Sequence, residues 1–75
     1  MRYIPTFNHV EGWSGFDHFA NEVIGRAEAL VKPSGYTTRQ TAIRAGYRAV
    51  KRAWDCIKPY SAIPPMITVS AEVLP

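Results

Sequence analysis

Cysteine is nearly missing from this chain of 75 residues, as are long apolar runs, clustered glycines and metal-ligand spacings. Cys56 is the only cysteine, so no internal disulfide is possible, and a reducing, cytoplasmic setting is expected. The longest uncharged apolar stretch, Ala62 to Ile67, is broken by Pro64 and Pro65, so no membrane contact is expected. Met1 to Val10 is too polar for the apolar region of a secretory signal. His9, His18 and Cys56 are scattered, with no HxxxH or CxxC spacing, so neither a metal nor another cofactor is expected. Gly12, Gly15, Gly25, Gly35 and Gly46 are too dispersed to cradle phosphates. Ser14, Asp17 and His18 lie close together, yet a helix cap accounts for their spacing. One helical turn does not aim three side chains at one proton. A chain this short also has little room for an enclosed substrate pocket, and no enzyme is expected.

What is present is globular in character. Apolar residues make up 47 % and charged residues 20 %. Residues 1–75 are expected to form one small α+β domain of order β-α-α-β, an antiparallel helical hairpin flanked by terminal extended strands. Chains of this size bury only about 60–65 % of their unfolded surface. With disulfides and metals set aside, a homodimer is expected, and the terminal strands are expected to lie on the helices, to pair with each other or to pair with another chain.

Residues 1–13 read as strand and loop, because Tyr3 to Val10 is rich in β-branched and aromatic types, with Pro5 confining the strand to an edge. The first helix is expected over 15–31. Phe16, Phe19, Ala20, Val23, Ala27, Leu30 and Val31 recur at steps of three and four, with Ser14 as cap and Asp17 completing a capping box. Pro33 and Gly35 end it. The second helix is expected over 38–58, beginning after Thr37 with Gln40 as the capping partner. Its bulky stripe of Ile43, Tyr47, Val50, Trp54 and Ile57 is expected to face inward. A strip of Ala42, Ala45, Gly46, Ala49, Ala53 and Cys56 lies beside it and is expected to meet another helix. Cys56 reads as a small buried hydrophobe. Gly46, costing about 1 kcal/mol in mid-helix, marks a close contact or a break. Residues 59–75 read as a proline-rich loop followed by an alternating strand, with Ile67, Val69, Ala71 and Val73 on one face.

Charge is distributed unevenly. Residues 1–33 hold three bases against four acids, whereas 34–58 hold six bases (Arg39, Arg44, Arg48, Lys51, Arg52, Lys58) against Asp55. On the second helix the cations gather on one face about 21 Å long. Asp55 sits within pairing distance of Lys51 and Arg52. Arginine forks suit carboxylates and phosphates. Arg44, Arg48, Lys51 and Arg52 are therefore the candidate partner-binding residues, with Tyr3, Trp13, Tyr36 or Tyr60 as aromatic anchors. An acidic protein surface is the favoured partner and nucleic acid the alternative. The expected function is that of a small non-catalytic interaction protein.

The run Thr38-Arg39-Gln40-Thr41-Ala42-Ile43-Arg44-Ala45-Gly46-Tyr47 resembles the helix-turn-helix of phage small terminase subunits. That resemblance implies a helix-turn-helix-like DNA-binding regulator, with Ala42 packed inside and Gly46 at the turn, and a phage or mobile-element origin. The interaction protein is accordingly expected to be a phage or mobile-element accessory protein or inhibitor acting on a host macromolecule. The apolar residues that such a motif wants six and nine positions after its glycine are here Arg52 and Asp55, which favours one continuous helix. Gly35, Thr37, Thr38, Arg39, Ile43 and Arg44 are also similar to the second-helix start of ribbon-helix-helix repressors. This second resemblance implies a dimeric DNA-binding regulator whose paired strands enter the major groove, with Arg2 and Asn8 as the readers.

Overall fold

β-Branched and aromatic residues at the start of the chain and an alternating run at its end produce two strands that find each other. In the computed structural model, which describes residues 1–12, 17–58 and 64–75, β1 spans Tyr3–Val10 and β2 spans Met66–Val73. They pair antiparallel, from Tyr3 opposite Val73 to Val10 opposite Met66. Between them come a short 3-10 turn over Asp17–Phe19, α1 over Ala20–Leu30 and α2 over Arg39–Ile57. The fold is thus a small α+β domain of order β-α-α-β. Of the three arrangements open to the terminal strands, the chain adopts the one in which they pair with each other.

Odd-numbered strand residues carry the apolar side chains that face α2. Pro5, Ile67, Val69 and Ala71 are buried, while Asn8, Thr68, Ser70 and Glu72 on the other face are exposed. The backbone groups of these odd residues point away from the partner strand, toward the ribbon's two edges. Pro5 therefore loses no ladder bond, because its missing N–H falls on the outer edge of β1. On that edge Tyr3 exchanges two backbone hydrogen bonds with Tyr36, at 2.8 and 2.7 Å. On the β2 edge two side chains of α2 reach over. The Tyr47 hydroxyl accepts from the Val69 N–H at 3.3 Å, and Arg39 donates to the Ala71 carbonyl at 2.8 Å.

The face that α2 buries differs from the expected one. Ala42, Ala45, Gly46, Ala49 and Ala53 are buried, whereas Ile43, Val50 and Ile57 are half-buried and Tyr47 is exposed. Of the bulky stripe only Trp54 is buried. The reason is close approach. A Cβ at Gly46 would collide with Val69 Cγ1 and lie 2.9 Å from Pro5 Cβ. Small residues let the helix settle on the ribbon, and the bulky ones splay along its flank. The small strip thus meets the strands as well as a helix, and α2 runs through Gly46 without a break. Cys56 is exposed, contrary to the buried role expected of it.

Against the other side of α2, α1 presents Val23 and Ala27, joined in one core with Val31, Ala49, Ala53, Trp54 and Ile67. Phe19, at the start of α1, meets Trp54, near the end of α2, edge-on at 6.0 Å, so the helices run antiparallel. Leu30, expected on the packed face, is exposed. The Ser14 cap, the helix start at Gly15 and Phe16 lie outside the described residues, as do Trp13, Pro59, Tyr60 and the path of 59–63. Asp17 serves differently from the expected capping box. It accepts from the Gly12 N–H at 2.9 Å and from His9 Nε2–H at 3.1 Å, clasping the end of β1 to the turn before α1. At α2 the cap is Thr38, one residue later than expected. Its hydroxyl accepts from the Thr41 N–H at 3.1 Å. Gly35, with φ +80°, packs where a Cβ would lie 2.8 Å from the Tyr3 carbonyl.

Candidate functional site

Six cations between residues 34 and 58 have three different fates. Arg39 is structural: its guanidinium holds the Ala71 carbonyl and lies 5.1 Å from the centre of the Tyr3 ring. Lys51 and Lys58 share Asp55, each 3.3 Å from one of its carboxylate oxygens. Hydrogen bonds from Lys58, then Lys51, hold the Asp55 carboxyl below its ordinary value. That leaves Arg44, Arg48 and Arg52, all exposed and without an ion pair or hydrogen bond among the described residues.

These three stand at i, i+4 and i+8, one above another on α2. Like charges at that spacing destabilise a helix by about 0.2–0.5 kcal/mol per pair. Asp55, the acid nearest to them in sequence on α2, has both oxygens engaged elsewhere. The row is therefore about 12 Å of unneutralised guanidinium at 1.5 Å per residue. It presents planar, bidentate donors to a carboxylate or phosphate surface.

The structure brings Arg44, Arg48 and Arg52 onto one ridge, and places Lys51 beside them in its pair with Asp55. Other candidates are drawn into the scaffold. Arg2 donates to the carbonyls of Ser34 at 3.1 Å and Gly35 at 2.8 Å, fastening the interhelical loop to β1. Asn8 is exposed on the outer face of the ribbon. Tyr3 packs under Arg39, and the Tyr36 hydroxyl accepts from the Lys32 N–H at 3.2 Å. Trp13 and Tyr60 lie outside the described residues.

Tyr47, which is not among those aromatics, lies beside the row. Its side chain is 48 % exposed, beside Arg44 and Arg48, with which it lines a shallow cleft together with Thr41. Its angular position, at the edge of the bulky stripe nearest the cationic face, was the available signal. Among the described residues no three His, Cys, Asp or Glu side chains gather as a metal site. No helix among them is long and apolar enough to cross a membrane. No protein-family model matches the chain, and neither a curated protein nor a solved structure matches it.

Proposed function

We propose that the chain is a small, non-catalytic interaction protein that engages an acidic protein surface through Arg44, Arg48 and Arg52, with Lys51 at the margin. The supporting observation is the self-repelling arginine row: three exposed guanidiniums at one-turn intervals with no internal partner among the described residues. Such a local conflict costs helix stability and is relieved when carboxylates from another molecule dock on it. The terminase-like string from Thr38 to Tyr47 is the ground for placing it among phage or mobile-element accessory proteins that act on a host macromolecule.

The test is capture from a bacterial lysate with and without nuclease, using wild type and the triple variant Arg44→Glu, Arg48→Glu, Arg52→Glu. A nuclease-resistant, stoichiometric protein partner lost by the variant is the expected result, with the circular dichroism of the variant unchanged. A nuclease-sensitive partner supports the DNA-regulator reading instead. That reading also requires log affinity for duplex DNA to fall with log salt at about −0.9 per neutralised phosphate. Capture that survives the triple reversal removes this face from the function.

A further inference from the structure

Next to the arginine row lies a groove of about 500 Å³ between the second half of α2 and the start of β2. Tyr47, Val50, Trp54, Pro65, Met66 and Ile67 form its walls. These walls are apolar, and Met66 is 40 % exposed at one side as Tyr47 is at the other. Lys51 and Asp55 also line the groove and are paired with each other, so their charges largely cancel there. Of the free cations, Arg44 and Arg48 flank Tyr47 at one end of the groove, whereas Arg52 lines a separate cleft with Leu30 and Tyr36 on the side of α1. Tyr47 is common to this groove and to the cleft that Arg44 and Arg48 line, so greasy and cationic surfaces meet at a single side chain.

We infer that the groove is the anchor pocket of the proposed binding face, and that its occupant is a short amphipathic segment of an acidic partner protein. One or two apolar side chains of that segment seat between Tyr47 and Met66. Its carboxylates lie about one helical turn away, on Arg44 and Arg48. The orientation follows from the charge pattern: carboxylates point toward the N-terminal half of α2, anchors toward its C-terminal half. Amphipathic segments laid in apolar grooves are recognised in this way, with anchors giving affinity and flanking charges giving register. A nucleic-acid backbone would satisfy the arginines and leave Val50, Pro65 and Met66 uncovered. The inference rests on the proposed function but is separable from it.

Three fluorescein-labelled peptides of about 14 residues test it by anisotropy. The first carries Leu and Phe anchors with Glu one turn away. The second has the anchors replaced by Ser, and the third has Glu replaced by Gln. The first is expected to bind, and the other two at least about tenfold more weakly. The double variant Arg44→Glu, Arg48→Glu and the single variant Met66→Glu should each weaken the first peptide by about tenfold or more. Met66→Gln, which brings no charge, should weaken it less, and Arg26→Glu on α1 should leave it unchanged.

Equal binding of the anchored and anchorless peptides overturns the groove and leaves the arginine row intact. Absence of binding by either acidic peptide removes both readings. Loss with Arg26→Glu equal to that with the double variant reduces the effect to net charge, and overturns the inference. So does a single- or double-stranded oligonucleotide that displaces the first peptide at equal concentration. Sedimentation showing a dimer that Met66→Glu dissociates would assign the groove to a second copy instead.

Discussion

Gly46 sits where helix propensity and packing make opposite demands. In an exposed mid-helix position, exchanging glycine for alanine gains about 1 kcal/mol. At Gly46 the new methyl group would be driven into Val69 and Pro5 of the ribbon, and overpacking of this kind costs about 1–3 kcal/mol. The clash wins. Gly46→Ala is expected to lower stability by up to about 2 kcal/mol in urea unfolding. Gly25 provides the contrast: it is exposed in mid-α1 with nothing within 4 Å of an added Cβ. Gly25→Ala is expected to stabilise by up to about 1 kcal/mol. Stabilisation by both exchanges would mean that α2 does not approach the strands closely at residue 46.

At the level of elements, most of what local pattern governs was legible. β-Branched and aromatic content gave β1 from Tyr3 to Val10, alternation gave β2, and the run from Thr38 gave a helix that passes through Gly46. The buried face of α2 was not legible, because hydrophobicity ranks Tyr47 and Ile43 above Ala42 and Ala49. Which stripe goes inside depends on how closely two strands and a helix crowd it. The entry to α1 was also missed. Asp17 reads locally as a capping residue, and only the return of β1 brings His9 and the Gly12 N–H to it. That clasp joins two elements and is pH-sensitive through the carboxylate. The Gly12 hydrogen bond, then His9, holds the Asp17 pKa below its ordinary 3.8. A depressed carboxylate contributes stability that is present above about 3.8, the unfolded value, and is lost as pH falls through the lower folded value. Asp17→Asn should therefore lower Tm near pH 6 and make Tm fall less steeply than in wild type between about pH 4 and 2. An unchanged acid limb of the Tm–pH curve would show that the clasp does not form in solution.

For the whole molecule, the cationic row was readable from helical spacing, while the groove beside it joins segments too distant in sequence to be foreseen. Pro64 and Pro65 read as a loop until β2 folds back against α2. The same long-range pairing leaves a two-stranded sheet with two edges, and open edges invite association with other chains. Each edge here has a different safeguard. On β2, Tyr47 and Arg39 reach across from α2 and occupy Val69 N–H and Ala71 C=O. On β1, Tyr36 occupies Tyr3, whereas the outward-pointing backbone groups of Phe7 and His9 have no hydrogen-bond partner among the described residues. Pro5 is the remaining obstacle there, since it offers an approaching strand no donor in the middle of the edge. Pro5→Val would restore that N–H and keep a Cβ over Gly46, leaving the packing of α2 nearly unaltered. It is expected to stay folded by circular dichroism and to show concentration-dependent association in sedimentation velocity under conditions where wild type does not. If Pro5→Val sediments like wild type across the concentration range, the edge is blocked by something other than the missing donor, and Pro5 serves only to pack against α2.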